Sequence, residues 1–252
     1  CRVCRSDNPR NNRMRASIFV ETDRTKILVD VTPDFRTQAL REGIRRIDAV
    51  FMTHEHFDHI SGLDDLRPMS FRSGREVPVY CNESTKEFIE QRFYYAFDPP
   101  QKGGGVPALD LRVLNGPVTF DDLTVTPVEI FHGRLPILGF RFNGFGYVTD
   151  CSRMPDESKE KLKDLQVLVL NALRRRPHST HLNLEQAVAL AKELRAGQTY
   201  FTHMADDMEY EEINGQLEDG FALAYDGLTI DIEDVGRVGN PSEKHASKPG
   251  AG

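Results

Sequence analysis

The chain reads as a layered α/β domain with helices packed outside a β core. Three features of its 252 residues lead to that fold class. Close to the start, two strand-like runs flank a short polar turn, the pattern of a hairpin. Farther on, apolar and β-branched runs alternate with helix-like stretches, as in a sheet covered by helices. Several strand-like runs also end on a histidine or an aspartate, and loops at strand ends are where α/β folds carry their sites.

The elements follow in order. Residues 17–21 and 26–30 surround Thr22, Asp23, Arg24 and Thr25, whose polar side chains suit the turn of a hairpin. Residues 35–45 have helical character and lead to the apolar run Ala49, Val50, Phe51 and Met52, a strand. Ser61 and Gly62 are expected to open the next helix. Residues 78–81 read as a short strand and 83–93 as a helix, while the Pro- and Gly-rich residues 98–105 form a loop. Runs at 109–114, 123–128, 138–142 and 146–149 alternate as strands do, and 164–170 reads as a buried strand. The best-defined helix begins at Asn183, whose side chain can cap it while Gln186 reaches back as in a capping box. Leu184, Val188, Ala191 and Leu194 form its apolar stripe, Gly197 is a suitable stop, and residues 199–202 follow as a strand.

Composition narrows the function. With 39% hydrophobic residues there is ample material for a core, and in the absence of Trp the Phe and Tyr residues supply the aromatic packing. A formal net charge of −7 argues against general nucleic-acid binding, whose footprint is basic; Arg174, Arg175 and Arg176 are the best local basic patch. No apolar run approaches the ~20 residues of a membrane helix, and no signal peptide is visible, so no membrane partner is expected. Four cysteines are too few for a disulfide scaffold and favour a reducing, cytoplasmic setting. Because the chain opens on Cys1 rather than Met, a preceding stretch is expected. The expected organisation is a Cys-containing segment at 1–15, a main domain at 16–238 and a disordered tail at 239–252.

The densest chemistry lies directly after the strand at 49–52. His54, Glu55, His56, Phe57, Asp58 and His59 put three imidazoles and a carboxylate of ligand type into six residues. On an extended chain positions i and i+2 share a side, so His54 and His56 can grip one ion, and the turn that follows offers Asp58 and His59 to a second. Imidazole with carboxylate suits zinc, manganese or iron better than calcium or magnesium. His132, Asp150 and His203 each close another strand-like run, and together with the first motif they make up a dinuclear metal site.

That order of ligands resembles the metallo-β-lactamase superfamily over roughly residues 16–235. The resemblance implies a four-layer αβ/βα sandwich and two divalent ions, Zn2+ or Mn2+. It implies one ion on His54, His56 and His132, a second on Asp58, His59 and His203, and Asp150 bridging them. Asp30 matches an acid that supports the site from behind its ligands, and His56 stands where the oxygen-reducing flavodiiron branch carries glutamate. Hydrolysis is therefore the implied chemistry: a hydroxide shared by two metals is ionised near neutral pH because metals lower the water pKa to about 7. Asp58 would orient that nucleophile as well as bind metal.

The subfamily is indicated by His181, which stands just before the capped helix. There it resembles the catalytic histidine of RNase Z type nucleases and related phosphodiesterases, which contacts phosphate or protonates the leaving alkoxide. His178 reads as solvated. Those nucleases pair this histidine with an acid where this chain has Asn171, whose amide oxygen can accept from the imidazole without stabilising its charge. Cys1 and Cys4, running into Arg13 and Arg15, resemble the opening of PhnP-like phosphodiesterases, which bind a further structural zinc; Asp206 would be its third ligand here. The implied function is a phosphodiesterase acting on a small cyclic or nucleotide-like phosphate ester, with specificity expected in loops at 67–75 and 98–107. The alternatives are a tRNA 3′-processing type nuclease, a carboxyl-ester or thioester hydrolase, and a PqqB-like accessory protein without catalysis. Related hydrolases are often dimers, and the sequence leaves the oligomeric state open.

Overall fold

The computed structural model describes residues 1–99 and 105–233 and the backbone of 236–238; residues 100–104 and the expected tail at 239–252 lie outside the described residues. The hairpin is present as β1 (Ile18–Glu21) and β2 (Lys26–Val29), with Ile18 opposite Val29. Along β2 the side chains alternate: Ile27 and Val29 join one apolar cluster and Leu28 another. β3 (Ala49–Phe51), β4 (Val77–Cys81) and β5 (Leu109–Val113) continue this sheet in parallel from β2.

A second sheet starts with three antiparallel connections through β6 (Val118–Thr119), β7 (Thr124–His132), β8 (Leu135–Phe142) and β9 (Phe145–Val148). β10 (Val167–Asn171), β11 (Gln198–Thr202) and β12 (Phe221–Leu223) extend it in parallel. β13 (Ile230–Ile232) and β14 (Gly236–Val238) return to the first sheet beside β1. Among the described residues each sheet therefore has seven strands, ordered β13-β14-β1-β2-β3-β4-β5 and β12-β11-β10-β9-β8-β7-β6.

Burial sorts the layers. Phe51, Phe140, Phe142, Phe145, Tyr147 and Val169 fill the space between the sheets. The outer face of the first sheet packs on α1 (Phe35–Arg41), α2 (Phe57–Ile60), α3 (Arg67–Ser73) and α4 (Glu83–Arg92), which leads into α5 (Tyr94–Phe97). The second sheet carries α6 (Asp156–Lys161), α7 (Leu184–Leu194) and α8 (Tyr210–Asn214) on its outer face. Helix, sheet, sheet and helix make the expected four-layer αβ/βα sandwich. Strands such as Val167–Asn171 are buried on both faces, which is why this one is apolar up to its last residue. Among the described residues no helix is long and apolar enough to cross a membrane.

Three local expectations are corrected. The helix expected from Ser61 begins earlier, at Phe57, and Gly62 serves close approach instead: a Cβ there would lie 2.0 Å from the Thr32 carbonyl oxygen. Residues 67–73 are helical rather than a loop, with Pro68 in the first turn and Gly74 closing the helix at φ 65°. Helix α7 has the full capping box of Asn183 and Gln186, but it ends at Arg195, left-handed at φ 55°, two residues before Gly197.

Phe51 is fully buried, stacked on Tyr80 at 4.8 Å and edge-on to Phe140 at 5.4 Å between centroids. Phe51→Ala is expected to cost about 3–5 kcal/mol in denaturant unfolding, the range for truncating a buried aromatic. A loss below about 1 kcal/mol would mean that the two sheets are not held by this cluster.

Candidate metal centre

Every residue singled out along the strands is delivered to one edge of the sandwich. Asp30 follows β2, His54 follows β3, His132 closes β7, Asp150 follows β9, and His203 follows β11. Asp58 and His59 sit on α2, directly above the end of β3. Asp30, Asp150 and His203 adopt left-handed backbone at φ 61°, 55° and 55°. That conformation is uncommon for residues other than glycine and turns the chain sharply as each strand ends.

Hydrogen bonds behind the imidazoles set which nitrogen points inward. The buried Asp30 carboxylate accepts from the Thr53 amide at 2.8 Å, the Thr53 hydroxyl at 2.9 Å and His59 Nδ1 at 2.8 Å. With its proton given to Asp30, Thr53 Oγ1 accepts from His54 Nδ1 at 3.0 Å. His132 Nδ1 faces two carbonyl oxygens, Thr180 at 2.8 Å and Asp150 at 3.1 Å, and must donate to them. All three rings are thus held through Nδ1–H and turn Nε2 toward the site, the usual second-layer support of metal-binding histidines. His54 Nε2 and His59 Nε2 are buried without a hydrogen bond. Such nitrogens are costly to leave unpaired, and an ion taking their lone pairs fits this arrangement.

The donor atoms gather in three overlapping sets, each within 4.8 Å: His54, His59 and Asp150; Asp58, His59 and His203; His132, Asp150 and His181. The second is the set expected for one ion. Asp150 belongs to two sets and lies among the others, with Oδ1 3.3 Å from His203 Nε2 and Oδ2 3.3 Å from His59 Nε2. His56 is in none of the three, but its ring centroid is 4.6 Å from that of His54 and 5.1 Å from that of His132. His181 donates from Nε2 to Asp150 Oδ1 at 2.9 Å.

Electrostatics separates the imidazoles. Burial, reinforced by neighbouring His59, pushes His54 down to about 2, so its ring is neutral. Burial also works against a proton on His59, but Asp30, Asp150 and Asp58 outweigh it and hold the ring well above its ordinary value. His203 is raised against its burial by Asp150 and Asp58. Asp150 is desolvated too, yet His203, His181 and His59 keep it well below the usual carboxylate range.

Asn171 is placed differently from expectation. Its amide accepts from the Cys151 N–H at 2.8 Å and donates to the Cys151 carbonyl at 3.1 Å, so it braces the turn after Asp150 instead of bonding His181. The imidazole has other neighbours: His181 Nδ1 lies 3.0 Å from Thr180 Oγ1 and 3.2 Å from His178 Nδ1, so the partly exposed His178 touches His181. At the N-terminus Cys1 and Cys4 have their sulfurs 2.9 Å apart, and what Asp206 turns toward Cys1 is its main-chain oxygen, at 3.9 Å. Sequence reading missed Thr53 and Thr180, whose contacts join residues adjacent in sequence to partners far along the chain. A hydrophilic residue next to a ligand histidine was the only signal.

A family model described as Beta-lactamase superfamily domain matches residues 25–204. The chain belongs to that superfamily. It is 42% identical to a solved structure described as a new diphosphatase from the PhnP family, with a TM-score of 0.86 over 92% of this chain and 90% of that one. The expected likeness to PhnP-like proteins is borne out. The chain is 38% identical to an octanoyltransferase of Porphyromonas gingivalis over 98% of its own residues and 51% of that protein, so it spans about half of that relative's length. It is 26% identical to a ribonuclease Z of Methanopyrus kandleri, over 89% of this chain and 94% of that protein. The chain accordingly has the metallo-β-lactamase fold.

Protons on His59 and His203 compete with a metal for the same nitrogens. Both values are raised, so in the ion-free protein the protons stay on until the pH exceeds those values, and metal affinity should climb as pH rises. Zinc titrations by calorimetry at about pH 6 and about pH 8, in buffers of different ionisation enthalpy, should show proton release and tighter binding at the higher pH. Uptake with no proton release would mean these rings are not ligands.

Proposed function

We propose that this protein is a dinuclear metal-dependent phosphodiesterase that cleaves a small cyclic or nucleotide-like phosphate ester. One observation carries the reading: His181, carrying its proton on Nε2, stands at 2.9 Å from Asp150 in the midst of the ligand sets. His54, His56 and His132 would hold one Zn2+ or Mn2+ ion and Asp58, His59 and His203 the other, with Asp150 between them. Bound ions would supply Lewis acidity and ionised water near neutral pH.

The chain's own groups do the rest. Asp30 and Thr53 lock His59 and His54, and the Thr180 carbonyl locks His132, so the inner ring nitrogens stay aimed as substrate enters. Asp58 has an exposed side-chain edge from which it can orient the attacking oxygen. His181 gives its Nε2 proton to the departing alkoxide, and Thr180 Oγ1 and His178 Nδ1 steady the opposite side of the ring. The PhnP-family relative is described as a diphosphatase, whose reaction is also cleavage at phosphorus, and this supports the reading. Cys1 and Cys4 would hold a further zinc that clamps the N-terminal segment, with Asp206 beside them.

A tRNA 3′-processing role is the second reading, suggested by the ribonuclease Z relative. Two of the three arginines in the basic patch it would need are already engaged: Arg175 binds Glu212 and Gln216, and Arg174 binds the carbonyls of Arg176 and Pro177. A thioester or ester hydrolase is third; the octanoyltransferase name belongs to a protein about twice as long as the matched region.

The metal-loaded protein should hydrolyse bis(p-nitrophenyl) phosphate in preference to a lactone or a thioester, and turnover of only the latter two would overturn the reading. His181→Ala should lower kcat by about 10²–10⁴ on alkyl phosphate diesters and far less on p-nitrophenyl esters, whose leaving group needs no proton. Equal losses on both would remove the acid role. His59→Ala should abolish activity together with tight binding of one of two ions, read by metal analysis.

A further inference from the structure

The rings that would hold the first ion are not all fixed in the same way. His54 and His132 each have a hydrogen bond behind the ring, to Thr53 Oγ1 and to the Thr180 carbonyl, and His59 at the second ion has one to Asp30. His56 differs: among the described residues neither of its ring nitrogens makes a hydrogen bond. It is also exposed, where the other four ligand imidazoles are buried or half-buried. Its carbonyl accepts from the His59 and Ile60 amides as α2 begins, which ties the backbone on that side. The ring itself is aimed only by the chain that carries it, and ordering an unheld ring at an ion costs rotamer freedom.

The residues on either side of His56 supply a hold, and both reach the same helix, α4. Glu55 Oε2 accepts from Thr85 Oγ1 at 3.1 Å. Thr85 is fully buried in the first turn of α4, where its amide donates to the capping Asn82 side chain at 2.9 Å, so this donor is itself fixed. Farther along the helix Phe88 meets the Phe57 ring edge-on, with 6.0 Å between centroids, and the Arg92 guanidinium lies 5.2 Å from the Phe88 centroid. Thr85, Phe88 and Arg92 stand at i, i+3 and i+7, on one face of α4. Ile89, fully buried, holds the helix to the first sheet. Phe57 is 57% exposed, so its contact with Phe88 adds little to the core, but it fixes the chain next to His56.

We propose that the pairs Glu55–Thr85 and Phe57–Phe88 form a bracket that positions His56 for the first ion, in place of the hydrogen bond that steadies the other rings. Thr85 and Phe88 are positioning residues: they act through His56 and on no reacting atom. The inference rests on the assignment of His54, His56 and His132 to one ion, and it is independent of which ester is cleaved.

Metal binding tests it without turnover. Calorimetric titration with Mn2+ should resolve two ions, and His132→Ala and His203→Ala identify which step belongs to which. Thr85→Val removes the hydroxyl and nearly keeps the shape. It should weaken the ion that needs His132 by about tenfold and the other by less than about twofold, the lower end of the range for partners behind metal ligands. Thr85→Ser should keep the affinity, and Thr85→Val combined with Phe88→Ala should lose about a hundredfold. Glu55→Ala should match Thr85→Val, and adding Thr85→Val to it should do nothing more, because the two residues share one bond. Glu55 is partly exposed, so Glu55→Ala decides if Thr85→Val fails to fold: affinities equal to those of the unaltered protein overturn the bracket. Equal weakening of both ions, the mark of a role in the fold alone, overturns it too. If only one ion binds, the dinuclear reading fails, and the bracket survives only if that ion is lost in His132→Ala and weakened in Glu55→Ala. If no ion binds, both fall.

Discussion

The buried Asp30 carboxylate is the interaction on which the site depends. It closes β2, accepts from Thr53 after β3, and accepts from His59 on α2, so three elements meet on one side chain. Through Thr53 Oγ1 it also sets His54. Burial alone would raise this carboxyl, and His59 and Thr53 oppose that rise. Removing one partner of such a network leaves a buried charge without compensation, which is more damaging than never having had the pair.

Backbone strain is concentrated at the same edge. Asp30, Asp150 and His203 all sit at positive φ as their strands end. Such residues cost on the order of 1–3 kcal/mol each and persist only where surrounding structure over-determines them. Here the sandwich does so: β2, β9 and β11 are each paired on both sides by neighbouring strands. The apolar layer between the sheets thus offsets local geometry that serves the centre and not stability.

The centre is also a balance of charge in a dry place. Asp58 and Asp150 face His59 and His203, while His54 stays neutral. Divalent ions at these positions would take over from the imidazole protons in neutralising the carboxylates, which couples metal uptake to proton release. Outside this knot the surface carries an acidic excess, and the nearby arginines mostly serve contacts within the chain.

Much was legible from the sequence by itself. Period-two alternation and apolar runs located the strands, because a strand buried on one or both faces must carry those patterns. His54, His56, Asp58 and His59 stood out because ligand-type residues were close in sequence, and His132, Asp150 and His203 because each ended a strand-like run. Only the tertiary structure could decide what depends on residues far apart in the chain. It placed Asn171 on the Cys151 main chain and not on His181, and drew His178 to His181. It made 67–73 a helix, and it lined a cavity beside Asp58 and His203 largely with 13–19, α1 and 224–230. The physical reason is the same in each case: local pattern reports which side of an element is buried, whereas partners across space are chosen by how sheets and loops close on one another.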